Sequence, residues 1–190
     1  MNTPAHLIFG LAAFGKPDAA KVTAAALAGA LIPDVSLYLM AGFHLLILGT
    51  EPQVVFGQLY FSDGWQSIFR VDNSIVLWGM GLSYAIWARS AWAVALCGAA
   101  LFHLGLDFLF HVDDGRAHFW PLTTWIFESP VSYWDPNHYG RIVGMIEMLV
   151  AAALCVWLWR RFRTILMRAI LFLLAAMEIA PRILFGLLFG

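Results

Sequence analysis

The sequence predicts an all-α membrane protein, a polytopic helical bundle of about five or six helices with short or kinked helices at its N-terminal end. Three observations carry that prediction. Apolar side chains make up 62% of the 190 residues and charged ones 12%, against roughly 45–50% and about 25% in soluble domains. The apolar residues fall in runs separated by breaks of proline, glycine and charge, the pattern of bilayer-crossing helices, and mean hydropathy is +0.78. Nine Trp and fifteen Phe supply interfacial anchors. The length suits one integral membrane domain, residues 1–190.

Composition also narrows the partners. A net charge of −1 gives no general attraction to phosphodiester backbones, so nucleic acid is disfavoured and the lipid bilayer is the expected partner. Cys97 and Cys155 lie in separate apolar runs without C-x-x-C spacing, which predicts buried packing residues. No basic residue precedes Lys16 and the first apolar run is interrupted by Gly and polar positions, so a retained first helix is expected rather than a cleaved signal peptide.

In chain order, Thr3 as N-cap and Pro4 at the first helical position open a short helix that stops at Gly15. After a GKPD turn, Ala19 to Ile32 predicts a second helix ending at Pro33-Asp34, because proline disfavours helical geometry in the residue before it. If these two short helices form a hairpin, His6 and Asp34 return to one level. Val35 to Leu48 resumes as helix, either past a kink or apart from it. Thr50 to Asn73, with Glu51, Asp63, Arg70 and Asp72 among aromatics, reads as an interfacial or extramembrane loop. Asp72-Asn73-Ser74 resembles a cap for a helix from Ile75 to Ala88. Arg89-Ser90 breaks the chain before Ala91 to His111, and Val112 to Arg141 reads as a second loop containing Pro121, Pro130 and Pro136. Ile142 to Trp159 and Ile165 to Phe189 complete the helices, the last with an interruption at Pro181-Arg182. There is no internal repeat.

Lys16, Lys21, Arg89, Arg160, Arg161, Arg163 and Arg168 fall on one side of this scheme, and Arg70, Arg116, Arg141 and Arg182 on the other. The first set marks the cytoplasmic side. The end of the Ala91 to His111 helix then opens to the non-cytoplasmic side.

That end carries the chemistry. Leu101 to Pro121, LFHLGLDFLFHVDDGRAHFWP, holds His103, Asp107 and His111 at i, i+4 and i+8. On a helix these form a column on one face, rising ~6 Å per step. A His/Asp pair at i, i+4 can share a cation. A column ~12 Å long is awkward for one ion, which leaves the third residue for a second metal, a water or an outer position. Ionisable groups in apolar helices are costly unless paired or lining water. His6, Asp34, Asp72, His103, Asp107, His111 and His118 can all converge at this end, with Asp113, Asp114 and Asn73 nearby. Imidazole and carboxylate ligands suit zinc, manganese, iron or nickel, and the lack of cysteine ligands argues against a closed structural zinc site. Elsewhere, His44 reads as a packing hydrogen-bonding group, His138 as a surface residue, and Asp113 and Asp114 as loop charges. Glu147 and Glu178 read as partners of a cation such as Arg141 or Arg182. Phe119, Trp120, Trp125 and Trp134 read as interfacial anchors.

The N-terminal MNTPAHLIFG, Pro33-Asp34 after a small-residue helix, and His103-x3-Asp107 followed by Trp120-Pro121 resemble a family of bacterial and archaeal inner-membrane proteins, the membrane-bound metal-dependent hydrolases. The resemblance spans roughly residues 1 to 125 in scattered short blocks. Where the family has a second acid after Pro-Asp, this chain has Ser36, and in place of a Thr-His-Ser block it has Asp72-Asn73-Ser74, with Asp72 or Asn73 available as an oxygen ligand. The resemblance implies an inner-membrane hydrolase whose metal ligands map to His6, Asp34, His103 and Asp107.

The expected function is hydrolysis of an ester or phosphoester, in a lipid-like substrate, through water activated by one or two divalent ions, with zinc first and manganese or iron next. His6, Asp34, Asp72, His103 and Asp107 are the expected ligands, with His111 and His118 as further ligands or as proton carriers. The rivals are a transporter or proton-relay protein, which would spread ionisable groups across the bilayer's depth, and a non-catalytic metal-binding scaffold. A membrane di-iron oxygenase lacks support, since its clustered histidine boxes are missing.

Overall fold

The computed structural model describes the backbone of residues 1–189 and the side chains of residues 1–180. Among them all regular structure is helical, in seven helices: α1 Thr3–Phe14, α2 Ala20–Gly42, α3 Asp63–Asp72, α4 Ile75–Trp87, α5 Ala91–Phe110, α6 Gly140–Arg161 and α7 Ile165–Phe189. Three of these elements are long and apolar enough to cross a membrane: α2 with its π-helical extension to Ile47, α5, and α6. The interruption expected at Pro181-Arg182 is not seen, since α7 runs unbroken from Ile165 to Phe189; the side chain of Arg182, to which the sequence assigned an ion-pair role, lies outside the described residues.

α2 differs from expectation. The sequence places a stop at Pro33, but one helix runs from Ala20 to Gly42 with Pro33 buried inside it. Proline removes one N–H from the ladder, the one that would reach the Gly29 carbonyl, and its ring crowds that same carbonyl. Two side chains from other elements approach carbonyls of this stretch. His103 Nδ1 lies 2.7 Å from the Ala30 carbonyl oxygen, and Asn73 Nδ2 donates to the Pro33 carbonyl at 3.1 Å. These contacts brace the proline-containing turn from outside the helix, and local sequence does not reveal them.

Small residues let α1, α2 and α5 approach closely, as in helix pairs within bilayers. A Cβ on Gly29 would stand 2.0 Å from the Leu96 carbonyl oxygen, and one on Gly10 would stand 2.7 Å from Ala30 Cβ. On the other flank, Ile8, Leu11, Leu158 and Leu171 join α1, α6 and α7 in one apolar core. The outward faces of α6 and α7 expose Ile146, Leu149, Trp157, Leu166 and Phe172, more apolar surface than a water-facing protein ordinarily shows.

The expected loop at 50–73 is also largely helical. A helical turn spans 52–59, and α3 starts at Ser62, whose hydroxyl accepts from Trp65 N, with Asp63 in its first turn and Arg70 in its last. Trp65 and Phe69 pack with Ala41, Val55 and Tyr60 under the end of α2. Burying a side chain the size of Phe69 contributes about 1.5–3 kcal/mol. Low hydropathy hid this helix, because its apolar side covers only that small cluster.

The topology separates charge by end. Arg161 Nη2 donates to the Gly15 carbonyl at 2.9 Å, and Lys21 Nζ lies 4.6 Å above the Trp92 ring. The starts of α2 and α5 and the ends of α1 and α6 thus share the basic end. The start of α1, the middle of α2 and the C-terminal half of α5 meet at the opposite end.

Candidate metal centre and adjoining cavity

His103 and Asp107 stand one turn apart on α5 and face α1 and α2. Asp107 is the hub. Its Oδ1 lies 2.8 Å from His6 Nε2, 2.8 Å from the Met1 amino nitrogen and 3.2 Å from His111 Nε2, while its Oδ2 lies 2.9 Å from His103 Nε2. The His6 and His103 rings stack with centroids 3.6 Å apart. Ligand-capable atoms of His6, His103 and Asp107 lie within 4.8 Å of one another, so this buried group could hold a metal ion.

The anchoring of His103 sharpens that fit. A carbonyl only accepts, so the ring nitrogen facing Ala30 O carries a proton and Nε2 is left to face the carboxylates. It lies 2.9 Å from Asp107 Oδ2 and 3.7 Å from Asp34 Oδ1. Two carboxylates converging on one ring nitrogen suit a positive charge there, carried by a second ring proton or by a bound cation. A backbone carbonyl fixing the distal N–H is also the usual support of a metal-ligating histidine.

Asp34 is held from the other side by Thr3, whose hydroxyl donates to Asp34 Oδ2 and lies 2.6 Å from the Tyr38 hydroxyl. Thr3 therefore does not cap α1, as the sequence had suggested. Asn2 occupies the N-cap position, and its backbone N–H donates to Glu147 Oε1 at 2.8 Å. Asn2 Nδ2 also contacts Glu178 Oε1 at 3.4 Å. The two membrane-level glutamates thus hold the segment that carries Thr3 and His6.

His111 departs from the helical column. α5 ends at Phe110 and His111 is extended, with φ −109° and ψ 128°. The loop then folds back over the helix end. Ser129 N donates to His111 O, Ser129 Oγ to Leu109 O and Tyr133 N to Phe110 O, which satisfies carbonyls that a helix end leaves open. The reversal brings the His111 ring back to Asp107 and sets its Nδ1 3.0 Å from Asp114 Oδ1. Asp114, read from sequence as a loop charge, thus joins the site.

His118 is anchored by a reciprocal exchange with the start of α4. Its Nδ1 lies 3.1 Å from Asn73 O, and Ile75 N donates to His118 O at 2.8 Å. Burial lowers the pKa of His118, with the Asn73 hydrogen bond pulling weakly the other way. Asp72 stands apart from the metal-capable group. Its Oδ1 accepts from Asn73 Nδ2 at 2.8 Å, and burial raises its pKa.

A cavity of about 280 Å³ opens beside the cluster, bordered by Asp34, Asp107, His111, Asp114, Arg116 and His118. Tyr133 also borders it. Burial, reinforced by the Asp114 and Asp107 carboxylates, pushes the Tyr133 hydroxyl far up, so it remains a protonated donor. Sequence reasoning missed Tyr133 and Arg116 as site residues, since nothing in their local context distinguishes them from other loop residues. No family model, curated protein or solved structure matches the chain.

Proposed function

We propose that the protein is a membrane-embedded, metal-dependent hydrolase acting on an ester or phosphoester of an amphiphilic, lipid-like substrate. The observation that carries this reading is the carbonyl-anchored His103, whose Nε2 faces two carboxylates beside an open cavity. His6, His103 and Asp107 would hold the ion, with Asp34 adjoining. Zinc suits this donor set best, followed by manganese or iron. When bound, such an ion supplies Lewis acidity and a water that ionises near neutral pH.

The remaining groups fit the handling of protons and substrate. His118 keeps its Nδ1 proton on Asn73 and, with a lowered pKa, offers an unprotonated Nε2 at neutral pH, the form of a general base. His111, between Asp107 and Asp114, is suited to hold a proton for a leaving group. Leu37 and Phe56 give the cavity an apolar lip, which favours a substrate with a hydrocarbon part. In an inner membrane, with the basic end in the cytoplasm, the cavity opens on the non-cytoplasmic side. A proton relay fits less well, since the core between the two ends is built from apolar residues such as Leu11, Leu158 and Leu171.

The test is hydrolysis by detergent-purified protein of chromogenic carboxylic and phosphoric esters, before and after chelation, with zinc, manganese or iron(II) restored. Turnover that depends on added metal and is missing in Asp107→Ala is expected. No turnover with any metal, or turnover unchanged in Asp107→Ala, contradicts the proposal.

A further inference from the structure

Arg116 lies in the loop after α5, yet its side chain is buried, with 8% of the residue exposed. Its guanidinium sits 4.0 Å from the Phe69 ring centroid and 5.0 Å from that of Tyr60. Those rings compensate one face of the cation. Its edge is incompletely compensated: Nη1 is buried without a hydrogen-bond partner, and none of the ion pairs among the described residues involves Arg116. The Tyr60 hydroxyl, the nearest polar group on those rings, donates instead to the Asp114 carbonyl at 3.0 Å. A buried guanidinium without a carboxylate is costly, and the cost is relieved when an anion arrives.

Arg116 borders the same cavity as Asp34, Asp107 and His111. We propose that it forms an anion subsite beside the metal centre and takes a phosphoryl oxygen, so that the substrate is a phosphoester and not a carboxylic ester. The planar fork of a guanidinium matches two phosphoryl oxygens, a geometry that an uncharged carboxylic ester cannot use. The cavity's acids are already engaged. Asp107 meets the Met1 amino group, His6 and His103, Asp34 faces His103, and Asp114 lies 3.0 Å from His111 Nδ1, which leaves the guanidinium as the cationic side chain for the substrate. The substrate assignment rests on the hydrolase reading, whereas phosphate binding at Arg116 does not require turnover.

The test uses full-length protein labelled with ¹⁵N-arginine in detergent, in chelated and metal-loaded forms. Its Arg116 Nε resonance is identified by its loss in R116K, and inorganic phosphate or bicelles containing phosphatidic acid are the probes. The Arg116 resonance should move with at least one probe in the chelated protein. R116Q should bind phosphate about 10- to 100-fold more weakly than wild type, the loss expected for a charge-assisted contact. A shift with inorganic phosphate supports a soluble phosphoester, and a shift with phosphatidic acid alone supports a lipid headgroup. A resonance unmoved by both probes overturns the subsite even if R116Q fails to fold. So does R116Q protein that binds phosphate as tightly as wild type. An intact shift without any ester hydrolysis would keep the subsite and remove the hydrolase reading.

Discussion

His103 Nε2 lies 2.9 Å from Asp107 Oδ2, one helical turn away, with the ring's other nitrogen 2.7 Å from the Ala30 carbonyl oxygen. The imidazole is thereby oriented by a carbonyl on α2 and presented to a carboxylate on its own helix. An ion bound there ties α1, α2 and α5 together and belongs to the folded state only. Added metal should therefore raise the melting temperature of chelated protein. At a free concentration about 100 times the dissociation constant, the gain is about 2.7 kcal/mol. His103→Ala should show no metal-dependent shift, and a shift equal to that of wild type would count against the arrangement.

Gly29 sets the distance between α2 and α5. With 2.0 Å between a new Cβ and Leu96 O, Gly29→Ala must push the two backbones apart. Overpacking of this kind costs about 1–3 kcal/mol. Thermal melts in detergent should show that loss, and metal affinity should fall with it because His103 moves away from Ala30 and Asp34. An unperturbed melt would mean the helices are not held so closely.

Asn73 holds the proline segment and His118 at once. Asn73→Ala removes the side-chain donor to Pro33 O, a buried hydrogen bond whose loss costs about 0.5–1.5 kcal/mol. The backbone carbonyl that receives His118 remains in the variant. Its stability should fall more than its metal content, and the reverse order would place Asn73 among the ligands.

The lowered pKa of His118, caused first by burial, fixes the sign of one pH effect. Above about pH 6.5 the histidine is neutral in both folded and unfolded chains and contributes no pH dependence. As pH falls below that value, the unfolded chain takes up a proton that the folded chain resists, so stability declines towards the folded-state pKa. His118→Gln should flatten this limb of a stability profile measured from pH 7 to 5. A limb unchanged by the substitution would assign it to another group.

Much of the bundle was legible because the signals were local. The spacing of His103 and Asp107 and the Ser74 start of α4 needed no knowledge of neighbours; the Ser74 hydroxyl does accept from Leu77 N at 3.0 Å. Pro33 misled because the helix runs on through it, in a turn braced from elsewhere by His103 and Asn73. His111 misled because a helical column assumes that the helix continues, and α5 stops one residue earlier. α3 had readable signals in Ser62, Asp63 and Arg70, which its low hydropathy outweighed. Arg116 had none: only the fold sets a loop arginine over Phe69 and Tyr60 at the edge of the cavity.

The most direct measurement is the metal content of detergent-purified protein by elemental analysis, in wild type, His103→Ala and Asp107→Ala. The account expects about one equivalent or more of a transition metal in wild type, as one filled site requires, and its loss in both variants that remain folded. A folded wild-type protein without metal, or the same content in all three proteins, would contradict it.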